Sequence, residues 1–517
     1  MDEEQPTTHS RSSGVSVSYD ADGTREVSRL LPANEQGERR KWVHRFPDAI
    51  GHYYSPRSMN EDLPLFAGEL EFTDEENAVY DARVTYRWAP RPRITVHGTR
   101  PAASDDVAWF EAASRATGMW VTAPGVTITL TNGAIPAPPD QALDPDQADV
   151  SVDRRIDTEL GDGRQLDAVT CLLPNGWPTV SGTGICDPHD LAHTWYGRTT
   201  AEGDGWRAEL DRTRAAGPDT FKTLQERGGY LFTHTVRLTR IDGSSFTSQQ
   251  ALNVLDRIRL GLALALGRRT SGVLPVGYRA GTAVWALWRS QRVDRYHSTA
   301  SHWLDDTTAA SQVSEIVGKT LDFTRDATAR EVLAQAVGYY VAGLNDVDVE
   351  LQANTAVSGL QLLSYYRFVT VGPHTHRQWK ALQPAQGPTE WELRQLLRAI
   401  GVSTPVPAHF THLHAVQQRL AARKAHFDGL GTVVKMRNVA THPTKDQPAA
   451  YSAQEWAEAG LLSSYWFGLS LLELIGYRGK IAAILQKRPW GPGELRHGPW
   501  SPSVVAGTWA AGGPAET

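Results

Sequence analysis

The chain has 517 residues, with 52 Lys+Arg against 58 Asp+Glu, a formal net charge of -6 and two cysteines. That length exceeds one ordinary core and implies two to four domains, and the acidic balance gives no global attraction to nucleic acid, so any RNA contact must be a local patch. Cys171 and Cys186 cannot make a disulfide framework and fit a reducing cytosol. The polar start MDEEQPTTHSRSSG lacks the apolar core of a signal peptide, and no run of about 18 apolar residues occurs. The expectation is a soluble, cytoplasmic, α+β multidomain protein with no membrane partner.

Residues 1–40 are polar, charged and Gly/Ser-rich, and read as a flexible N-terminus. A β-rich region is expected over 41–310. LFAGELEF, DARVTYRWAP, RITVHG and GVTITLTNG alternate apolar and polar residues, as half-exposed antiparallel strands do. PAPPDQALDPDQAD, residues 136–149, is rich in proline and acids and could divide this region into two subdomains. Strand signals resume with YLFTHTVRLTRIDG. A helix then runs from a cap near Thr247 to Gly267, and TSGVLPVGYR and TAVWALWRSQRV read as two further strands. The main boundary is expected in polar sequence between residues 299 and 328.

Nearly everything beyond reads as helix, over 311–488. AREVLAQAVGYYVAGLN places Val332, Ala336, Tyr339 and Tyr340 along one side. VDVELQANTAVSGLQLLSYYRFVTV is longer, and TEWELRQLLRAIGV spaces Leu393, Leu396, Leu397 and Ile400 by three and four. HFTHLHAVQQRLAARKAHF leads into VVKMRNVATHP, and SAQEWAEAGLLSSYWFGLSLLELIGY runs from a Ser452 cap to Gly476. Several helices on short connections point to a bundle. Residues 489–517 form an irregular Pro/Gly-rich tail by composition.

VVKMRNVATHP, residues 433–443, carries the chemistry. Arginine followed by histidine at similar spacing also occurs at Arg91 and His97, Arg292 and His297, and Arg419 and His426, so spacing alone decides nothing. Context separates the pair Arg437 and His442 from those. Phe427, Leu430, Val433, Val434 and Met436 approach it at helical spacing, as one buried face would. Pro443 stops the helix near Thr441 or His442. Arg437 then falls in the last turn, where the helix dipole favours a cation, and His442 lies about one and a half turns on. A bland reading competes: Arg437 as a helix C-cap and His442 as a surface residue.

The segment from about residue 329 to 484 resembles a HEPN domain (higher eukaryotes and prokaryotes nucleotide-binding), in the form found in anti-phage abortive-infection proteins of the ApeA-like kind. The resemblance rests on R-N-x-x-x-H at Arg437, Asn438 and His442, on the long helices ending in LLSYYRF, and on the closing LLELIGY. It covers roughly a third of the chain. It implies a metal-independent endoribonuclease needing no cofactor, in which the RNA's 2′-hydroxyl attacks and leaves a 2′,3′-cyclic phosphate. His442 would serve as general base or acid, Arg437 would stabilise the phosphate's transition-state charge, and Asn438 would orient the histidine or the phosphate. A homodimer with two motifs facing one RNA cleft is also implied. Lys435, Lys445, Arg419, Arg423 and Lys424 could track the RNA backbone, against the default of a solvated helix face. Thr444 stands where one specialised branch carries a tyrosine. The β-rich part would then act as sensor or inhibitor, responding to a phage-derived trigger. The alternatives are a non-catalytic HEPN scaffold binding RNA, a nucleotide or a protein, and a carbohydrate- or peptide-binding front with a helical part that only dimerises.

Other constellations are weaker. Cys171, Cys186, His189 and His193 could assemble a zinc site, but not at knuckle spacing, so two small buried thiols are the plainer reading. His374, His376, His409, His412 and His414 lack carboxylate company. Trp88, Trp109, Trp120, Trp177 and Trp206 would suit a ligand face, but tryptophan mostly builds core. No Walker loop, nucleophile elbow or H-E-x-x-H helix is present.

Overall fold

A computed structural model describes residues 15–19, 25–30, 41–72, 78–99, 128–129, 154–155, 157–178, 181–188, 193–296, 303–305, 308–345, 348–422, 427–441, 451–482, 485 and 495–497. The linker expected at 136–149, most of the N-terminus and most of the C-terminal tail lie outside these residues. The chain forms two units. The first comprises Met1–Thr200, Trp206–Leu252 and Ser271–His297, and the second Ala201–Gly205, Asn253–Thr270 and Ser298–Thr517.

The first unit is built on antiparallel sheets. β1 (Val15–Tyr19), β2 (Arg25–Leu30) and β3 (Lys41–Phe46) form one of three strands. A five-stranded sheet has the order β7-β4-β5-β6-β8, from β4 (Leu63–Phe72), β5 (Ala78–Arg87), β6 (Arg93–Thr99), β7 (Ile128–Thr129) and β8 (Arg154–Arg155). The larger sheet is made of β9 (Asp157–Gly161), β10 (Ala168–Pro174), β11 (Thr183–Cys186), β12 (Thr194–Gly203), β13 (Trp206–Arg212), β14 (Phe232–Arg240), β15 (Val273–Arg279) and β16 (Thr282–Arg289). Its order is β11-β12-β13-β14-β10-β15-β16-β9.

Alternation builds the core between these sheets. On β5, Ala82, Val84 and Tyr86 are buried while Arg83, Thr85 and Arg87 between them are half-buried. They meet Leu172, Phe232, Val276 and Trp288 of the larger sheet. Trp88 stacks on Tyr230 at 5.1 Å and 9°. Trp88, Trp177 and Trp206 are all buried, so these tryptophans serve the core; Trp109 and Trp120 lie outside the described residues. Two helices complete the set of elements before the second unit's main segment: α1 (Pro218–Arg227) and α2 (Ser248–Leu266), the latter closed by Gly267 at φ 66°.

The second unit is predominantly helical. Its elements are α3 (Ala309–Phe323), α4 (Ala327–Leu344), α5 (Val349–Tyr365) with a π-turn at Tyr366–Thr370, α6 (His376–Leu382), α7 (Pro388–Ala399), α8 (Thr411–Ala421), α9 (Gly429–Thr441) and α10 (Ala453–Leu474). Two short strands follow, β17 (Lys480–Ala482) and β18 (Leu495–His497). On α4 the buried stripe is Ala329, Leu333, Ala336, Val337 and Tyr340; the expected Val332 and Tyr339 are only half-buried, one position off its centre. α10 opens with a capping box between Ser452 and Glu455 and ends before Gly476 at φ 78°. It runs along α5, where Gly359 leaves room for the Phe467 ring.

This unit also draws in sequence from far upstream. Asp204, in the turn after β12, accepts from Arg257 at 2.8 Å and from Arg325 at 2.6 Å, while its own N–H donates to Asp322 at 2.8 Å. Arg257 is 5% exposed and also bonds Thr324 Oγ1 at 2.9 Å and the Leu321 carbonyl, so its charge is fully engaged. No helix among the described residues is long and apolar enough to cross a membrane.

Candidate active site

The helix bearing the motif is α9, and its start is fixed before its end is. Asp428 caps it: the Gly431 N–H donates to Asp428 Oδ1 at 3.0 Å, and Thr432 Oγ1 donates to the Asp428 carbonyl at 2.7 Å. The same carboxylate receives both prongs of Arg394 from α7, at 2.6 and 2.9 Å, and the Thr404 hydroxyl at 2.7 Å. Arg394 also reaches Glu390 at 2.6 Å. Burial works against the ionised Asp428, yet the Arg394, Gly431 and Thr404 hydrogen bonds prevail and hold its pKa at about 2. Gly429 lies against the Thr404 carbonyl, where a Cβ would collide.

From there α9 is buried on almost every side, not on the single face its apolar spacing implied. Leu430, Val433 and Met436 are fully enclosed, and so are Gly431 and Thr432 between them. The reason is position: α9 packs among α5, α7, α8 and α10, and small residues let it sit close to all four. The helix is described through Thr441, and the stop expected at Pro443 lies outside the described residues.

Arg437 and Asn438 emerge half-buried near this end. Arg437 Nη1 donates to Asn438 Oδ1 at 3.2 Å, and Thr441 Oγ1 donates to the Arg437 carbonyl at 3.0 Å. Arg437 Nε is buried with no hydrogen-bond partner among the described residues. The Nε is itself enclosed, so an oxyanion would have to approach the guanidinium through its Nη atoms.

The remaining expected residues divide. His442, Lys445, Arg423 and Lys424 lie outside the described residues. Lys435 is on α9 but about 200° round the helix from Arg437, so the two cannot share a face. Arg419 is engaged structurally: its Nη1 lies 2.5 Å from Glu455 Oε1, the carboxylate that completes the α10 capping box. Nearby sequence gave no hint of Arg394 as the partner of Asp428, although Asp before Gly-Leu-Gly is itself an N-cap signal. Nor did it show Glu473, buried on α10 3.6 Å from Arg367 and 3.3 Å from Arg478. Burial raises the Glu473 pKa in spite of both arginines.

The zinc reading fails on topology. Cys171 on β10 and Cys186 on β11 are separated by three intervening strands, roughly 19 Å at ordinary strand spacing, so they cannot share one ion. Both thiols are buried. Among the described residues no cluster of His, Cys, Asp or Glu is arranged to hold a metal ion.

A β-rich unit and a helical unit with an arginine-asparagine pair near a helix end thus define the described residues. Residues 161–299 match the family model described as the YopA central domain, and residues 326–492 the one described as the YopA C-terminal domain. The chain is similar to the SPbeta prophage-derived uncharacterized protein YopA of Bacillus subtilis (strain 168), 21% identical over 307 residues. That alignment covers 59% of this chain and 66% of the relative. No solved structure matches significantly.

Proposed function

We propose that the chain is a metal-independent endoribonuclease of the HEPN type, acting as a regulated, cytoplasmic effector of anti-phage defence by abortive infection. The observation that carries this reading is the Arg437–Asn438 pair, bonded at 3.2 Å at the end of a buried helix, with the Arg437 Nε unpartnered among the described residues. In this reading Arg437 binds the scissile phosphate and neutralises the charge that grows on it in the transition state. Asn438 sets the guanidinium's orientation. His442 moves the proton, as the side chain titrating nearest working pH. The 2′-hydroxyl oxygen bonds to phosphorus while the P–O5′ bond breaks, giving a 2′,3′-cyclic phosphate and a 5′-hydroxyl. A homodimer through the helical unit would bring two such motifs to one RNA. The β-rich part would act as the sensor of a phage product, since an unregulated cytosolic ribonuclease is toxic and needs a trigger to shift its population.

The test is incubation of end-labelled tRNA and mRNA in EDTA with wild-type protein and with His442→Ala, followed by end-group analysis. Cutting by the wild type alone, with 2′,3′-cyclic ends, supports the reading. Cleavage that EDTA abolishes sinks it. RNA bound but left intact by both proteins means either a missing trigger or the non-catalytic scaffold, and toxicity of the isolated 310–517 fragment separates the two.

A further inference from the structure

Between Glu350 and Glu390 the chain has no acidic residue, although acids outnumber bases overall; the same stretch holds Arg367, His374, His376, Arg377 and Lys380. These residues gather around the π-turn that ends α5. Arg367 turns inward to Glu473, while Arg377 is exposed and the Lys380 side chain is 55% exposed. The Lys380 ammonium donates to Gln383 at 3.2 Å and forms a long ion pair with Glu392 at 3.9 Å, while its side chain keeps a solvent-facing side.

An aromatic stack holds the turn in place. Phe368 lies flat on Trp379 at 4.7 Å and 13°, and Trp379 meets Trp391 at 4.8 Å. Trp379 is 3% exposed, and its indole N–H has no hydrogen-bond partner among the described residues. On the outside of this stack Tyr365 is 39% exposed, with the His376 ring 5.8 Å away. Val371 and Leu382, 48% and 52% exposed, extend the apolar surface. The solvent-facing Tyr365 ring, with the His376 ring beside it and the exposed Arg377 next in sequence, matches a ligand that brings flat rings and negative charge together. That ligand is a single-stranded nucleic acid, whose bases stack while its phosphates need cations. An acidic peptide would satisfy the cations but not the rings.

We propose that the turn around residues 365–380 is a single-stranded RNA platform on which a base stacks against Tyr365 while Arg377 and Lys380 follow the backbone. The proposal rests on reading the chain as RNA-directed, but binding here does not require cleavage.

The experiment uses the full chain carrying His442→Ala, so that the probe survives, with labelled oligo(U) of about twenty nucleotides followed by anisotropy in EDTA. RNA duplex, oligo(dT) and phosphatidylserine vesicles are the competitors. Oligo(U) should bind more tightly than duplex or vesicles. Tyr365→Ala should weaken it at least about fivefold, the low end of base–aromatic stacking, and Tyr365→Phe should keep parental affinity because it keeps the ring. Arg377→Gln with Lys380→Gln should flatten the slope of log K against log salt by about 1.4, for two phosphates. Parental affinity in Tyr365→Ala, an unchanged salt slope, a preference for vesicles, or no oligo(U) binding by the parent would overturn the platform. Stacking at Tyr365 together with wild-type cleavage that EDTA abolishes would leave the platform standing and remove the metal-independent ribonuclease. Cleavage with normal binding by Tyr365→Ala would do the reverse.

Discussion

Arg394 and Asp428 face each other as a two-pronged ion pair, Nη1 to Oδ2 at 2.6 Å and Nη2 to Oδ1 at 2.9 Å. Because Asp428 is at once the cap of α9 and the partner of a residue on α7, one carboxylate fixes where the motif helix begins. Removing it loses the cap and leaves Arg394 with Glu390 alone. Asp428→Ala should therefore destabilise the protein by about 2 kcal/mol, a figure kept modest because the pair is partly hydrated. Chemical unfolding at pH 7 checks this, and an unchanged midpoint would show that α9 does not depend on the pair.

The enclosed His234 and the half-buried His52 should make the protein acid-sensitive well above the carboxylate range. Burial lowers the pKa of His52 to about 4, against hydrogen bonds to the Tyr54 and Leu274 carbonyls that favour the charged ring. Burial, helped by Arg212, lowers that of His234 to about 3, where the ring stacks on Trp177 at 4.3 Å. Both folded values lie below the unfolded one near 6.5, so the unfolded chain binds the extra protons between pH 6.5 and these values. Their contribution is complete above pH 6.5 and declines as the pH falls toward 3. By pH 4.5 the loss should reach about 2–3 kcal/mol for His234 and less for the half-buried His52. Urea unfolding from pH 7.5 to 4.5 measures it, and a flat profile would mean that these rings stay solvated.

Two glycines in the helical unit should respond to alanine in opposite directions. At Gly429 a methyl group would run into the Thr404 carbonyl, which is backbone and cannot swing aside. Gly429→Ala should destabilise by about 1–3 kcal/mol through displacement of α9. Gly338 sits within α4 with nothing within 4 Å of the position a Cβ would take. Gly338→Ala should stabilise by about 0.5–1 kcal/mol, because alanine has less backbone freedom to lose. Thermal melts of the two variants should move apart, and a shared direction would contradict the packing described.

The local signals were legible where one residue controls its own neighbourhood. The alternation of β5 gave its buried face, and Ser452 marked the start of α10. Signals failed where the partner is distant. Nothing near Asp204 announces Arg257 or Arg325, yet their ion pairs bring residues 201–205 and 253–270 into the helical unit. The one-sided reading of α9 failed for a related reason: glycine and threonine look neutral in a hydrophobic pattern, but here they are the close-contact residues of a helix surrounded by four others. Within the site, the adjacency of Arg437 and Asn438 was visible in sequence, whereas the Arg394–Asp428 clamp was not, since 34 residues separate its partners.

The sharpest test of Arg437 keeps its charge and removes its shape. Lysine offers a compact ammonium in place of a planar fork, so it can attract phosphate without matching two of its oxygens. If the guanidinium stabilises the transition state, Arg437→Lys should lower kcat by about 10²–10³ while leaving KM for RNA within severalfold. The fold should survive, because the main bond lost is the one from Nη1 to the neighbouring Asn438 side chain. Single-turnover cleavage of a labelled RNA, read beside a melting curve of the same sample, separates the two effects. A variant that cuts at the wild-type rate would reduce Arg437 to a charge at a helix end, and one that loses RNA affinity in step with kcat would make it a binding group.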